Sequence, residues 1–260
     1  MSRCSSPHSR RAGALRGRAA HAKSAAKRLL RRGWTALLQQ PCVFCASRTG
    51  NGFFCNACRS SLPRIPFACT RCGQPFARPL PAGLDCAGCI LRPPPFRAVR
   101  AALLYTFPVD AALKAFKFDG RLVYAPAFAE LMSCELTAHL RHADALLPVP
   151  LHRWRHAARG FNQALELARP LARRSGLPLL TITRRVRRTR PQTGLSAADR
   201  RRNLRGAFAL TRPLAYRHPL IVDDVMTTGE TCSQLARVLL AAGAEDVSVL
   251  TAARAGTVRA

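Results

Sequence analysis

The chain has 260 residues, enough for one mid-sized α/β domain and a small additional module. Hydrophobic residues make up 48% of it, which excludes wholesale disorder. Arginine and lysine total 42 against 13 acidic residues, and the resulting net charge of +29 predicts affinity for polyanions. Because 38 of those cations are arginine, the excess also fits a GC-rich genome. No apolar run approaches the roughly 18–20 residues of a membrane span, so we expect none.

Residues 1–40 form a basic segment with ten cations and no acid. This composition favours a disordered tail. The alternatives are a basic arm for nucleic acid, a transit-like amphipathic segment, or a start codon assigned too early. The segment contains no secretory hydrophobic region, which favours a reducing, cytoplasmic location.

A cysteine-rich module follows over residues 41–95. Its four C-x-x-C pairs are Cys42/Cys45, Cys55/Cys58, Cys69/Cys72 and Cys86/Cys89. In a reducing compartment such pairs indicate zinc, because the two-residue gap lets both thiolates of a turn point at one ion. Eight thiolates therefore predict two zinc ions in a double zinc-ribbon-like module with little hydrophobic core of its own. The short spacers favour two sequential sites, but a cross-braced arrangement that joins the first pair to the third and the second to the fourth stays open.

From Phe96 onward the pattern changes to strands that alternate with amphipathic helices. The predicted strands are Val99–Tyr105, Ala145–Val149, Leu179–Thr183, Leu220–Val222 and Val247–Thr251. The predicted helices are Ala111–Phe116, Ala125–Leu140, Phe161–Arg173 and Thr231–Ala242. This alternation predicts an α/β domain over residues 96–260, with a mostly parallel sheet covered by helices on both faces.

The segment from Leu220 to Thr231 carries the most informative pattern. An apolar strand ends in two adjacent carboxylates, Asp223 and Asp224, and a threonine- and glycine-rich loop then leads into a helix. Ligands of open α/β sheets lie at the carboxyl ends of strands, and N–H groups beside a helix N-terminus suit a phosphate. The segment lacks the lysine of a Walker loop. It therefore predicts a ligand with a phosphate on one side and hydroxyls on the other, such as a ribose 5-phosphate, although an acid pair that binds only Mg²⁺ is an alternative.

A second anion site is predicted after an earlier strand. The strand that ends near Pro150 is followed by Arg153, Arg155 and Arg159 and then by a helix start at Asn162. Arginines and a helix N-terminus at a strand end could hold a pyrophosphate leaving group. Asn162 is also a plausible helix N-cap, which alone would explain its presence.

Two more segments could contribute to that anion site. Lys114 or Lys117 could reach the anion, although a lysine beside two phenylalanines could also snorkel to solvent. The stretch from Arg190 to Asn203 has the length and polarity of a loop that closes over a bound anion. We find no residue that stands out as a general base.

The segment from Leu220 to Thr231 resembles the 5-phosphoribosyl-1-pyrophosphate (PRPP) motif of type I phosphoribosyltransferases along its whole length. This resemblance implies the type I phosphoribosyltransferase fold and displacement of pyrophosphate from PRPP with Mg²⁺. It also implies that Asp223 and Asp224 are the catalytic acid pair that binds the ribose 2′- and 3′-hydroxyls. The implied phosphate- and PRPP-binding residues are Val225, Met226, Thr227, Thr228, Gly229, Glu230, Thr231, Arg159, Lys117 and Pro150.

The chain as a whole is similar to the ComF family. The four C-x-x-C pairs, the A-F-K-F stretch at 115–118, the R-G-F-N-Q segment at 159–163, the Q-T-G-L-S loop at 192–196 and the acid-pair motif all occur in family order. The similarity covers Pro41 to Arg254. It implies a phosphoribosyltransferase-like protein associated with DNA uptake in natural transformation, while some relatives are named for gluconate metabolism.

Three functional hypotheses follow. The first is a phosphoribosyltransferase whose acceptor is not identified. The second is a single-stranded-DNA uptake or processing factor with a regulatory PRPP site, in which aromatics such as Phe53, Phe54 and Phe67 stack on bases. The third is a zinc-stabilised adaptor whose donor site is vestigial, although the intact acid pair and Thr-Thr-Gly loop argue against a vestigial site. The sequence leaves the oligomeric state open.

Overall fold

A computed structural model describes residues 40–50, 52–152, 154, 157, 159–186 and 206–259. Nearly all of the basic segment, Arg153, Arg155 and the 190–203 loop lie outside the described residues. The helices, in chain order, are α1 (Asn56–Ser60), α2 (Ala87–Leu91), α3 (Val109–Phe118), α4 (Tyr124–His139), α5 (Gln163–Ser175) and α6 (Glu230–Ala241). The strands are β1 (Phe67–Ala68), β2 (Pro75–Phe76), β3 (Ala98–Leu104), β4 (Ala145–Pro148), β5 (Thr183–Arg185), β6 (Phe208–Leu210), β7 (Pro219–Met226) and β8 (Ser248–Arg254).

The central sheet has the strand order β3-β8-β7-β4, and every neighbouring pair is parallel. All seven residues of β8 are buried, as are the first four of β7. Strands with such long buried runs are typical of a parallel sheet covered on both faces. The expected α/β class with a mostly parallel sheet is confirmed.

Helices cover both faces of the sheet. Successive side chains of β7 point to opposite faces, so they pack in two different core clusters. Leu220 and Val222 pack in one core cluster with residues of α3, α4 and α5. Ile221 packs in a second cluster, with residues of α6. The chain leaves β4 by way of α5 and leaves β7 by way of α6, so β4 and β7 lead to opposite faces of the sheet. A crevice forms where adjacent parallel strands diverge in this way.

The predicted strand Leu179–Thr183 is wrong for most of its length. Leu179 forms only a single parallel bridge with Leu146, and the neighbouring N–H of Leu180 donates to the Leu146 carbonyl at 2.8 Å. The chain then leaves the sheet edge, and β5 pairs antiparallel with β6 in a separate two-stranded sheet. The apolar pattern could not show this change of partner, because both arrangements need extended backbone.

The cysteine-rich segment packs directly against the sheet domain. Phe54 and Leu62, each 4% exposed, belong to the same core cluster as Phe128 of α4. Arg59 of α1 forms an ion pair with Glu130 of α4. These contacts attach the segment around the first two cysteine turns to α4, so the hydrophobic core contributes to holding it.

Among the described residues, no helix combines the length and the apolar character needed to cross a bilayer.

Candidate functional site

The two adjacent acids lie in the second half of β7, at the carboxyl edge of the sheet. Asp223 is half-buried and Asp224 is 7% exposed. Asp224 lies on the α3 side, where the Lys117 Nζ is 2.7 Å from its Oδ2. Asp223 lies on the opposite side, where burial and then the charge of Asp223 raise the pKa of the Cys232 thiol. The acids therefore occupy different surroundings although they are neighbours in sequence.

Each carboxylate accepts a backbone N–H from the next residue. The Asp224 N–H donates to Asp223 Oδ1 at 2.9 Å, and the Val225 N–H donates to Asp224 Oδ1 at 2.7 Å. Burial, and then the charge of Asp224, raises the pKa of Asp223 to about 8, while Lys117 opposes that shift. The pair thus combines an Asp224 side chain that contacts Lys117 with an Asp223 carboxyl whose raised pKa a bound cation would lower.

The loop after the acids is shaped to expose backbone N–H groups. Thr227 and Thr228 are exposed, whereas Gly229 is buried and has a φ of +78°. A Cβ on Gly229 would lie 2.4 Å from Met226 Cε, so both conformation and space favour glycine there. Within the described part of the chain, the N–H groups of residues 227–230 donate to no protein acceptor. Free N–H groups that converge beside the start of α6 can bind an oxyanion.

The next two predicted loop residues form the first turn of α6. Glu230 is half-buried, and its Oε1 accepts from Gln234 Nε2 at 2.8 Å. This hydrogen bond directs the Glu230 carboxylate along α6 toward Gln234, one helical turn later. Thr231 is also half-buried.

The predicted second anion site adjoins the acid pair through β4. The Val149 N–H donates to the Val222 carbonyl at 3.0 Å, which places the buried Pro150 beside the start of the acid pair. Asn162 caps α5 by accepting from the Ala164 N–H at 3.1 Å, and its Nδ2 donates to the Val149 carbonyl at 3.1 Å. One asparagine side chain therefore sets both the helix start and the position of the segment after β4.

The cations predicted near this site separate into two groups. Lys117 contacts Asp224, and the guanidinium carbon of Arg159 is 5.2 Å from the ring centroid of Phe118, the residue after Lys117. Lys114 instead pairs with Asp110 at 2.8 Å on an exposed face of α3. Of the two lysine candidates, only Lys117 reaches the acid pair.

Sequence reasoning gave no role to two buried polar residues near this edge. His152 is 7% exposed and follows β4; its Nδ1 accepts from the Trp154 N–H at 3.4 Å. Arg254 is 6% exposed at the end of β8, and its guanidinium donates to the carbonyls of Met226 and Thr227. Nothing in the local sequence distinguishes Arg254 from the other arginines, and among the described residues it is the one arginine that is buried.

The eight paired cysteines form two separate groups of four. Cys42, Cys45, Cys55 and Cys58 form the first, and Cys69, Cys72, Cys86 and Cys89 form the second, with all ligand atoms of each group within 4.8 Å of one another. This is the sequential arrangement, not the cross-braced one.

The spacing of the thiols fits zinc. The Sγ atoms of Cys45 and Cys55 are 3.6 Å apart, as are those of Cys72 and Cys86. A tetrahedron with zinc–sulfur distances of about 2.3 Å has sulfur–sulfur edges of about 3.8 Å. A side-chain hydrogen bond from Ser47, and then the Cys58 N–H, lowers the pKa of Cys55 to about 6, which favours the thiolate that zinc requires. Both groups could therefore hold a zinc ion.

Comparison with known proteins identifies relatives over most of the chain. It is 39% identical over 202 residues to the DNA utilization protein YhgH of Salmonella typhimurium, which covers 75% of this chain and 87% of the relative. It is 32% identical over 229 residues to Competence protein F of Haemophilus influenzae, with coverage of 82% and 96%.

The chain belongs to the ComF family. It is also 27% identical over 155 residues to Competence protein ComFC of Streptococcus pneumoniae, which covers 60% of this chain and 67% of that protein. No protein-family model matches the chain. The names of these relatives refer to DNA utilization and to competence.

The cysteine groups generate a prediction about metal content. Purified protein should contain two zinc ions per chain by elemental analysis, because each group offers four thiol ligands. Cys58→Ser and Cys89→Ser should each reduce the content to one. Cys134→Ser, which removes an exposed thiol outside both groups, should leave it at two. A content near zero in the unaltered protein would show that the groups are not zinc sites.

The acid pair generates a prediction about proton binding. In protein labelled with ¹³C at the aspartate carboxyls, one signal should titrate near pH 8, because burial and Asp224 raise the pKa of Asp223. Lys117→Met should move that midpoint upward, since Lys117 lowers the pKa, and Asp224→Asn should move it downward. Asp119→Asn, on the exposed end of α3, should not change it. The absence of any aspartate that titrates above pH 6, or shifts in the opposite directions, would contradict this electrostatic description.

Proposed function

We propose that this ComF protein binds PRPP, or a related 5-phosphoribosyl compound, with Mg²⁺ at the carboxyl edge of β7. The phosphoribosyl group is then transferred to an acceptor or sensed through binding alone. The observation that carries the proposal is that a half-buried acid and a buried acid are followed directly by a loop in which four N–H groups have no acceptor among the described residues. Acids and oxyanion donors so close together match the hydroxyl face and the phosphate end of one sugar phosphate.

In this proposal the acids fix the sugar and the loop fixes its ester. Asp223 and Asp224 accept hydrogen bonds from the ribose 2′- and 3′-hydroxyls. The backbone of residues 225–231 and the exposed hydroxyls of Thr227 and Thr228 hold the 5-phosphate. Lys117 pairs with Asp224 at 2.7 Å, and in this proposal its ammonium group also attracts the ligand anion.

Transfer requires that the bond between C1 and the pyrophosphate oxygen breaks as the acceptor forms a bond to C1. The ring carries positive charge in the transition state, and the departing pyrophosphate takes the electron pair. Arg159, Lys117 and the backbone near Pro150 lie on the side of the site where they would stabilise those oxygens. Mg²⁺ bound with PRPP would offset the charge of the leaving group.

The biological setting is proposed from relatives and from ligand chemistry. The names of the relatives associate them with DNA utilization and competence, so we propose DNA uptake as the process and competence-machinery proteins as partners. The thiol groups need a reducing compartment, so we propose a cytoplasmic location. We also propose that residues 41–95 act as the zinc-binding module and residues 96–260 as the phosphoribosyltransferase-like domain.

The proposal predicts a specific loss of sugar-phosphate binding. Calorimetry with PRPP and Mg²⁺ should show binding at one site per chain, and Asp223→Asn combined with Asp224→Asn should weaken it at least about 100-fold. Hydrogen bonds to charged groups contribute about 1.5–3 kcal/mol each, so the loss of two gives this order of magnitude. The matched control is Asp119→Asn, which removes an exposed carboxylate just after α3 and should bind as the unaltered protein does.

A screen of nucleobases and amines for release of pyrophosphate then separates transfer from sensing. Release that depends on one acceptor supports transfer, whereas binding without release supports a regulatory site. If the unaltered, zinc-loaded protein does not bind PRPP, the proposal is wrong and the adaptor hypothesis replaces it.

A second candidate function is single-stranded-DNA binding, favoured by exposed aromatic rings at the carboxyl edge of the sheet. Phe107 follows β3, Phe118 ends α3 and Trp154 follows β4, and they are 82%, 72% and 58% exposed. Phe54, one of the rings expected to stack on bases, is buried in the core and cannot do so. Exposed rings in a strongly cationic protein suit a strand whose bases stack while its phosphates pair with arginine.

This candidate predicts steep salt dependence and a local effect of mutation. The affinity for an unstructured oligonucleotide should fall as salt rises, because each phosphate contact releases counterions. Phe118→Ala should weaken binding by roughly the 1–3 kcal/mol of one stacked base. Leu91→Ala, which removes an 80% exposed apolar side chain that has no ring to stack on a base, serves as the control.

The doubly substituted acid pair should bind DNA as well as, or better than, the unaltered protein, because it removes negative charge. Joint loss of PRPP and DNA binding in that variant would argue against two separate sites. A flat salt dependence would exclude binding through phosphates.

A further inference from the structure

Arg254, the last residue of β8, is a buried cation beside the phosphate loop. It is 6% exposed, and no carboxylate lies within ion-pair distance of it in the described part of the chain. A buried guanidinium needs acceptors for its N–H groups. The acceptors that the structure describes are all backbone carbonyls, so Arg254 hydrogen-bonds the main chain and does not pair with a carboxylate there.

On one side, the Arg254 guanidinium hydrogen-bonds the backbone where β7 ends and the phosphate loop begins. Its Nη1 donates to the Met226 carbonyl at 3.2 Å and also to the carbonyls of Thr227 and Ala255. Met226 is also its register partner across β7 and β8. The carbonyl of Thr227 belongs to the peptide that carries the N–H of Thr228, so these contacts set the direction in which that N–H points.

The other side of Arg254 contacts the second cysteine group. Its Nε donates to the Cys72 carbonyl at 3.4 Å. The next residue, Gly73, has a φ of +68°, and a Cβ there would lie 2.8 Å from Val99 Cγ1 and 3.7 Å from Arg254 Cδ. The cysteine turn therefore packs against the Arg254 side chain, and a residue larger than glycine at position 73 would clash with Val99.

The chain after Arg254 strengthens this attachment. The Ala77 N–H donates to the Arg259 carbonyl at 2.8 Å, and the Arg259 N–H donates to the Pro75 carbonyl at 3.1 Å. Gln74 Nε2 donates to the Thr257 carbonyl at 2.9 Å. These bonds fix the second cysteine group to the extension of β8, while Arg254 continues the connection to the loop.

The first cysteine group is attached elsewhere. Its neighbouring helix α1 contacts α4 through the pair Arg59–Glu130, and Phe44 packs against Phe54 and Tyr124. These contacts lie on the α4 side of the sheet and do not involve the residues of the phosphate loop. The two groups therefore differ in their relation to the candidate site.

We propose that Arg254 is a positioning residue that couples metal occupancy of the second cysteine group to sugar-phosphate binding at the loop, an inference that rests on the proposed function. A metal ion on the four thiolates fixes the Cys72 carbonyl, the carbonyl orients the guanidinium, and the guanidinium holds the loop in its binding form. Coupling between two binding equilibria is reciprocal. Sugar phosphate must then tighten metal binding at the second group and leave the first unaffected.

The test measures zinc affinity by equilibrium competition with a chromogenic chelator, using the full chain with and without ribose 5-phosphate. Cys58→Ser confines zinc to the second group, and Cys89→Ser confines it to the first. Ribose 5-phosphate should raise the zinc affinity of the second group by about 5- to 150-fold, the usual range of coupling between sites, and leave that of the first unchanged. Arg254→Met should abolish the effect, whereas Arg59→Met, which removes the analogous contact of the first segment, should retain it.

The outcomes that would contradict the proposed function, the coupling and the role of Arg254 differ from one another. If calorimetry shows that the zinc-loaded unaltered protein binds neither ribose 5-phosphate nor PRPP, the proposed function itself fails. If the sugar phosphate binds but zinc affinity at the second group does not change, the coupling is wrong, whatever any variant does. If the coupling persists in Arg254→Met, Arg254 does not carry it. Should that variant fail to fold, Arg254→Lys replaces it, because a single ammonium cannot reproduce both Nε and Nη1 contacts and should reduce the coupling at least about 5-fold.

Discussion

The parallel pairing of β7 with β4 on one side and β8 on the other is the constraint on which the site depends. It buries the strand Leu220–Val222 on both faces and brings the next residues, Asp223 and Asp224, to the sheet edge between diverging connections. Acids at the end of a buried strand are poorly solvated, which explains the raised pKa of Asp223 and the ion pair of Asp224 with Lys117. A different register would place these carboxylates in the core or among solvent-exposed groups.

The cysteine-rich segment is attached to the same sheet and to the helix that packs on it. Its first group is stabilised by aromatic contacts with α4, and its second is attached to the end of β8, which is hydrogen-bonded to β7. A short segment that supplies few apolar residues thus gains stability from thiol ligands and from a shared core. Its first half lies against α4 and its second half is hydrogen-bonded to the end of β8, which brings the second half close to the backbone of the loop.

The sequence alone predicted the features that depend on local pattern. The buried run before Asp223, the glycine at position 229 and the spacing of the cysteines each impose one local conformation, and the structure has it. Contacts between distant segments could not be predicted: Lys117 and Lys114 look alike in sequence, and the fold brings only Lys117 to Asp224. Likewise, Phe54 and Phe67 each lie one or two residues before a C-x-x-C pair, but of the two only Phe54 is buried against α4. Arg254 could be identified only from its burial in the structure, which distinguishes it from the other arginines that the structure describes.

The most direct test of the central claim is a crystal structure of the zinc-loaded protein with ribose 5-phosphate and Mg²⁺. The account predicts phosphate density within hydrogen-bond distance of the N–H groups of residues 227–230, with the 2′- and 3′-hydroxyls on Asp223 and Asp224. A sugar phosphate bound elsewhere, or an empty carboxyl edge at saturating ligand, would contradict it.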